Sequence, residues 1–166
     1  MSPKKVEFKI GETVVYPKHG VGEIIKIESM EVESIKTTFY VVKMEQSKLT
    51  IRVPLDKQED VGLRRISSKK TIEEVYQILK LKPKIRRIMW SRRAQEYDAK
   101  IFSGDPIKIA EVVRDLFRKN TQAEQSYSER QMFQVAIERL ARELAAVEKT
   151  DYFQSTEKIE SILRNK

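Results

Sequence analysis

Cysteine is absent from all 166 residues. That removes disulfide frameworks, thiolate zinc sites and cysteine nucleophiles together. Histidine occurs once, as His19, in a Pro-Lys-His-Gly turn. No second histidine stands at ligand spacing, and a Ser-His-Asp device could be assembled only around His19, with no nucleophile elbow or oxyanion loop beside it. Gly20-x-Gly22 lacks the third glycine of a phosphate-binding loop, and a strand-like pattern follows it rather than a helix. Carboxylate pairs such as Glu73-Glu74 fall on expected helix surfaces, where solvated charge is the ordinary reading. No apolar run approaches the roughly 18 residues of a membrane span, and no apolar core follows the N-terminal lysines as a signal peptide would require. The expectation is a soluble cytoplasmic protein with no enzymatic cleft, no metal, no cofactor and no membrane partner.

What is abundant is positive charge. The formal net charge is +8 and the sequence pI is about 9.6. This predicts an anionic partner. Nucleic acid leads over an anionic membrane surface, because a membrane-lying helix needs a broad apolar face opposite its basic one. The excess is concentrated in KLKPKIRRIMWSRRAQEYDAK, Lys80 to Lys100, which holds eight basic and two acidic side chains around Trp90, the sole tryptophan. Cations can neutralise phosphates, and an aromatic ring among them can meet a base or a base step.

The hydrophobic pattern divides the chain. From Phe8 to about Ser67 it is β-like, with runs at Thr13–Tyr16, Glu23–Glu28, Ile35–Met44, Leu49–Val53 and Gly62–Ile66. Pro17 to Gly22 reads as a turn in which both glycines can take positive φ. Leu49, Ile51 and Val53 fall on one face of their strand, and Thr50 and Arg52 on the other. Five short strands at this spacing suggest a small antiparallel β-barrel of the SH3 or Tudor kind. Ser67-Ser68-Lys69-Lys70 is a polar joint, which places domains at 1–68 and 69–166.

Helical spacing follows. Helices are expected at Thr71–Leu81, at about Ile88–Phe102, at Pro106–Lys119, from a Ser126-x-x-Glu129 capping box to about Lys149, and at Ser155–Leu163. Gly104, Asp105 and Pro106 combine a helix stop, a cap and a first helical residue. The fold class is α+β in two domains, with a small barrel followed by an all-α domain of about five helices. Residues 1–7 form a polar arm and 120–125 a polar loop.

Two candidate sites emerge. At roughly 100° per residue, Trp90, Ala94, Tyr97 and Ile101 share one helical face. That stripe reads either as core or as the base of an exposed wedge, with Lys84, Arg86, Arg87, Arg92 and Arg93 available to phosphates. Arg52 reads either as a solvated strand residue or as the anchor of a strand that pairs with a partner's sheet and holds a carboxylate.

Taken together, FKIGETVVYPKHGVGEI, LTIRVP, MWSRRAQEYDAKIFSGD and KIAEVVRDLFR resemble the CarD/CdnL family of bacterial transcription regulators, in order and across Phe8 to about Val147. The resemblance implies an N-terminal Tudor-like domain that binds the β subunit of RNA polymerase and a C-terminal helical domain that contacts promoter DNA. It implies that Trp90 wedges into the minor groove at the upstream edge of the transcription bubble, with Arg92 and Arg93 beside it, and supports the open complex. It places Arg52, with Thr50 and Ile51, on the polymerase-binding surface. Met30 and Gln95 stand where some members carry basic residues. The first domain alone also resembles the polymerase-interacting module of transcription-repair coupling factors, without their helicase motifs. The resulting expectation is a monomeric, nucleoid-associated factor. The rival reading is a promoter-independent nucleic-acid binder, RNA- or ribosome-associated, with a small barrel.

Overall fold

The computed structural model describes residues 8–118 and 126–166. The expected arm at 1–7 and loop at 120–125 lie outside these. The chain divides between Ile66 and Ser67 into two compact units.

The first unit is a five-stranded antiparallel sheet. Its strands are β1 (Thr13–Tyr16), β2 (Gly20–Val32), β3 (Ile35–Met44), β4 (Thr50–Pro54) and β5 (Arg64–Arg65), in the spatial order β4-β3-β2-β1-β5. The antiparallel fold expected from the sequence is present, but the barrel is not closed. With β5 only two residues long, there is too little strand to seal the sheet, and β4 and β5 remain its edges. A short 3-10 turn, Leu55–Lys57, follows β4.

The partial alternation of Glu23–Glu28 has a structural cause. A bulge between Ile24 and Lys26 shifts the register, so that Ile24 opposes Val42 and Ile27 opposes Tyr40. Ile24 and Ile27 then both reach the core of Phe8, Val14, Tyr40, Val42, Met44 and Val53, while Ile25 is turned outward. One extra residue on one strand is what lets two positions three apart share a face. Leu49 departs from its expected place: it precedes β4 and is 53% exposed, and only Ile51 and Val53 pack inward.

The two turn glycines differ in kind. Gly20 takes φ +89 at the end of the β1–β2 turn. Gly22 does not take positive φ; it is paired with Val14 and Met44 inside the sheet. A Cβ there would lie 2.8 Å from Val42 Cγ1 and 3.0 Å from both the Lys43 carbonyl and Met44 Sδ. Gly22→Ala should therefore destabilise the protein by about 1–3 kcal/mol, lowering the thermal midpoint by several degrees. An unchanged midpoint in a melting experiment would show that the strands yield freely at this point.

The second unit has five helices among the described residues: α1 (Lys69–Lys80), α2 (Trp90–Phe102), α3 (Pro106–Leu116), α4 (Tyr127–Glu148) and α5 (Tyr152–Arg164). The capping residues act at these helix starts, but only the serine half of the Ser126-x-x-Glu129 box forms, the Glu129 carboxylate lying 3.5 Å from Arg118 Nη2. Asp105 accepts from Ile107 N, Pro106 opens α3, and Ser126 accepts from Glu129 N. Helix α5 starts earlier than expected, because Asp151 caps it by accepting from Gln154 N. Ile72, Val75 and Leu79 of α1, Ile109, Val113 and Leu116 of α3, and Phe133, Ile137, Leu140 and Leu144 of α4 are buried, with Ile159 and Leu163 from α5.

Glu143 of α4 is 4% exposed. Its Oε2 accepts from the Ser67 backbone N–H at 2.9 Å and from the Ser67 hydroxyl at 2.6 Å. A buried carboxylate is tolerated where such bonds replace water. Tyr76 of α1 donates to Glu148 of α4, which Lys158 of α5 also reaches at 3.0 Å. Burial, reinforced by Glu148, pushes the Tyr76 hydroxyl up to about 12.

Candidate nucleic-acid interface

The basic stretch resolves into the 81–89 connection and the first turns of α2. Met89 is the N-cap in extended geometry, and its carbonyl accepts from Arg92 N and Arg93 N, each at 3.1 Å. No side chain caps this end and no acid lies in the first turn. The unpaired N–H groups and the helix dipole therefore add to the positive charge of the arginines.

Trp90 opens α2 and is partly buried, between the two states the pattern left open. The stripe it begins sinks into the unit along the helix: Tyr97 is 6% exposed and Ile101 1%. The Trp90 and Tyr97 ring centroids are 6.2 Å apart, and the Arg93 guanidinium lies 5.4 Å from the first and 5.7 Å from the second. Arg93 also donates from Nη2 to the Tyr97 hydroxyl at 3.4 Å, and its Nε is buried without a hydrogen-bond partner. The core thus holds Tyr97, Tyr97 and Arg93 hold the indole, and the indole keeps an exposed remainder.

The other cations differ in freedom. Arg86 is paired with Glu96 at 2.5 Å, and with Lys84 and Arg93 it lines a groove of about 480 Å³. Lys84 is exposed at its side chain, while its backbone N–H donates to Asp115 Oδ1 at 2.9 Å. Arg87 and Arg92 are exposed, and their side chains make no ion pair among the described residues. Asp115 is one residue that sequence reasoning missed. It is 4% exposed, accepts from Arg114 Nε at 2.8 Å, and ties the basic connection to α3. In sequence it is simply one more acid on an amphipathic helix.

On the β unit, Arg52 projects from edge strand β4 opposite Val41 of β3. It reaches across β3 to Glu28 of β2, with Nε 2.7 Å from Oε1, while Lys26 lies 3.3 Å from Oε2. The hydrogen bond from Arg52, then that from Lys26, holds the Glu28 carboxyl below its ordinary pKa. Glu28 takes only the Nε of Arg52, leaving its outward nitrogens as donors. Thr50 is exposed beside it, and Ile51 packs against the core. Glu28 could not be paired with Arg52 before the register of three strands was known.

His19 is exposed and stacked on Tyr16 at 5.5 Å, and among the described residues no group of three or more metal-ligating side chains is assembled. No helix of the described chain is long and apolar enough to cross a membrane.

Comparison with known proteins matches both units of the chain. A family model described as "CarD-like/TRCF RID domain" matches residues 8–67, and one described as "CarD, C-terminal domain" matches 74–160. The Bacillus subtilis (strain 168) protein "Putative transcription factor YdeB" is 32% identical over 140 residues, covering 84% of this chain and 92% of the relative. A solved structure, "CdnLNt from Myxoccoccus xanthus", is 38% identical, covers 42% of this chain and 97% of its own, and superposes with a TM-score of 0.33. With both units matched in order and a relative aligned across most of its length, the chain belongs to the CarD/CdnL family.

Proposed function

We propose that this protein is a non-enzymatic transcription regulator that binds the β subunit of RNA polymerase through β4 and promoter DNA through the N-terminal end of α2, stabilising the open complex at the upstream fork of the bubble. Membership of the CarD/CdnL family supports a transcription-associated, polymerase-interacting factor. The observation that carries the finer reading is the bracketed indole. An aromatic ring is held against Tyr97 and Arg93 at a helix end, with Arg87 and Arg92 exposed around it. Such a ring can support an unstacked base step, while the cations fix position on phosphates without reading sequence.

The two contacts act together by effective concentration. A polymerase tether turns a weak DNA contact into a local one, so that the fork's shape and the polymerase set specificity. Binding of the full chain to duplex DNA without polymerase is then weak and falls steeply with salt. The test is the lifetime of a competitor-challenged open complex on one promoter, with and without the protein. The expected result is a lifetime extended by about tenfold, the equivalent of about 1.4 kcal/mol of added stabilisation. An unchanged lifetime overturns the reading.

A further inference from the structure

The apolar side chain that leads this helix end is Met89, not Trp90. Met89 is 76% exposed, whereas the Trp90 indole is partly buried and engaged by Tyr97 and Arg93. Side chains on a helix lean toward its N-terminus, so that of Trp90 at the first position leans toward the end of α2, and Met89 precedes it at the cap. Ile85, 47% exposed, adds a third apolar group in the same connection.

The choice of residue at 89 runs against helix stability. Its backbone already has N-cap geometry, φ −56 and ψ 142, and its carbonyl already receives two N–H groups. Serine, threonine, aspartate or asparagine would add a side-chain cap there, which methionine cannot do. An exposed, unbranched and polarisable side chain stands instead at the tip of the most basic stretch of the chain. Methionine is among the residues that proteins insert between base steps from the minor groove.

We infer that Met89 is a second inserting side chain, entering the distorted base step ahead of a Trp90 platform that is fixed in place by Tyr97 and Arg93. The indole then acts as a rigid stacking surface, and the methionine as the flexible group that fills the opened step. This rests on the fork-binding reading above, and the experiment separates the two.

The discriminating variant is Met89→Ser, because the two roles of the position predict opposite signs. As a helix cap, the serine raises the thermal midpoint of the free protein. As a lost insertion, it shortens the open-complex lifetime by about fivefold, the share expected from exposing part of a methionine side chain. Met89→Leu, which restores apolar volume, recovers most of the lifetime. All variants are used as full chains with RNA polymerase and one promoter fragment. 2-Aminopurine at the upstream fork serves as a second readout and is less unstacked with Met89→Ser. If Met89→Ser matches the parent protein in lifetime and fork fluorescence while Trp90→Ala shortens the lifetime, the inference is overturned and the fork reading stands. If neither substitution changes the lifetime, the fork reading falls and the inference with it.

Discussion

Trp90→Ala shortens the open-complex lifetime conferred by the protein by about tenfold or more, while its affinity for RNA polymerase stays within about twofold of the parent. The asymmetry follows from where the indole sits. Its aromatic and cation–π contacts are with Tyr97 and Arg93 on the same helix, and Arg52 and β4 belong to the other unit. The substitution removes one ring contact and one cation–π contact, each worth about 1 kcal/mol, and leaves buried Tyr97 and Ile101 in place. The helical unit therefore stays folded, and the loss appears at the DNA. Trp90→Phe keeps a smaller ring on the same bracket and should fall between the two. Because Trp90 is the sole tryptophan of the chain, its fluorescence reports contact with DNA directly, as a change on addition of forked DNA to the free protein at low salt. An unchanged lifetime for Trp90→Ala, with the protein folded and bound to polymerase, would remove the wedge from the mechanism.

Much of this was legible in the residues, and what was not has identifiable causes. Helix ends were readable where a cap carries its own chemistry, as at Asp105-Pro106 and Ser126-x-x-Glu129. The helix start at Trp90 was not, because Met89 gives no capping signal. The β2–β3 turn was hidden for a similar reason. Glu33 and Ser34 both take left-handed φ, 51 and 66, in a two-residue hairpin loop where asparagine and glycine are the usual signal. Closure of the sheet could not be judged from strand count, since it turns on β5 being two residues long. At the sites, periodicity found the Trp90–Tyr97–Ile101 stripe but could not say how far along the helix burial extends. The partners of Arg52 and Lys84, Glu28 and Asp115, lie 24 and 31 residues away and depend on register and packing.

Arg52→Glu abolishes most polymerase binding, reducing β-subunit affinity by about thirtyfold or more, with little change in folding stability. The size comes from breaking a charge-assisted contact at a strand edge, which costs about 2 kcal/mol or more when one partner is removed or reversed. The small folding cost comes from exposure. The Arg52 side chain is 55% exposed, and ion pairs at such sites contribute at most about 1 kcal/mol. Glu28 makes the experiment sharper. Reversing Arg52 also sets a second carboxylate near Glu28, so local repulsion at β4 must be separated from a lost anchor. Arg52→Gln removes the charge without the repulsion and should retain the binding defect. Arg52→Lys keeps the charge but loses the planar fork, and should bind at an intermediate level. Glu28→Gln removes a competitor for the guanidinium and should leave polymerase binding intact or tighter. Pull-down of the β subunit with this set, alongside thermal midpoints, decides the assignment. Parent-level capture by Arg52→Glu would show that the edge of β4 is not the docking strand. Without the tether, the defect extends to the fork: at limiting protein concentration, Arg52→Glu loses open-complex stabilisation although Trp90 is untouched, and excess protein restores part of it.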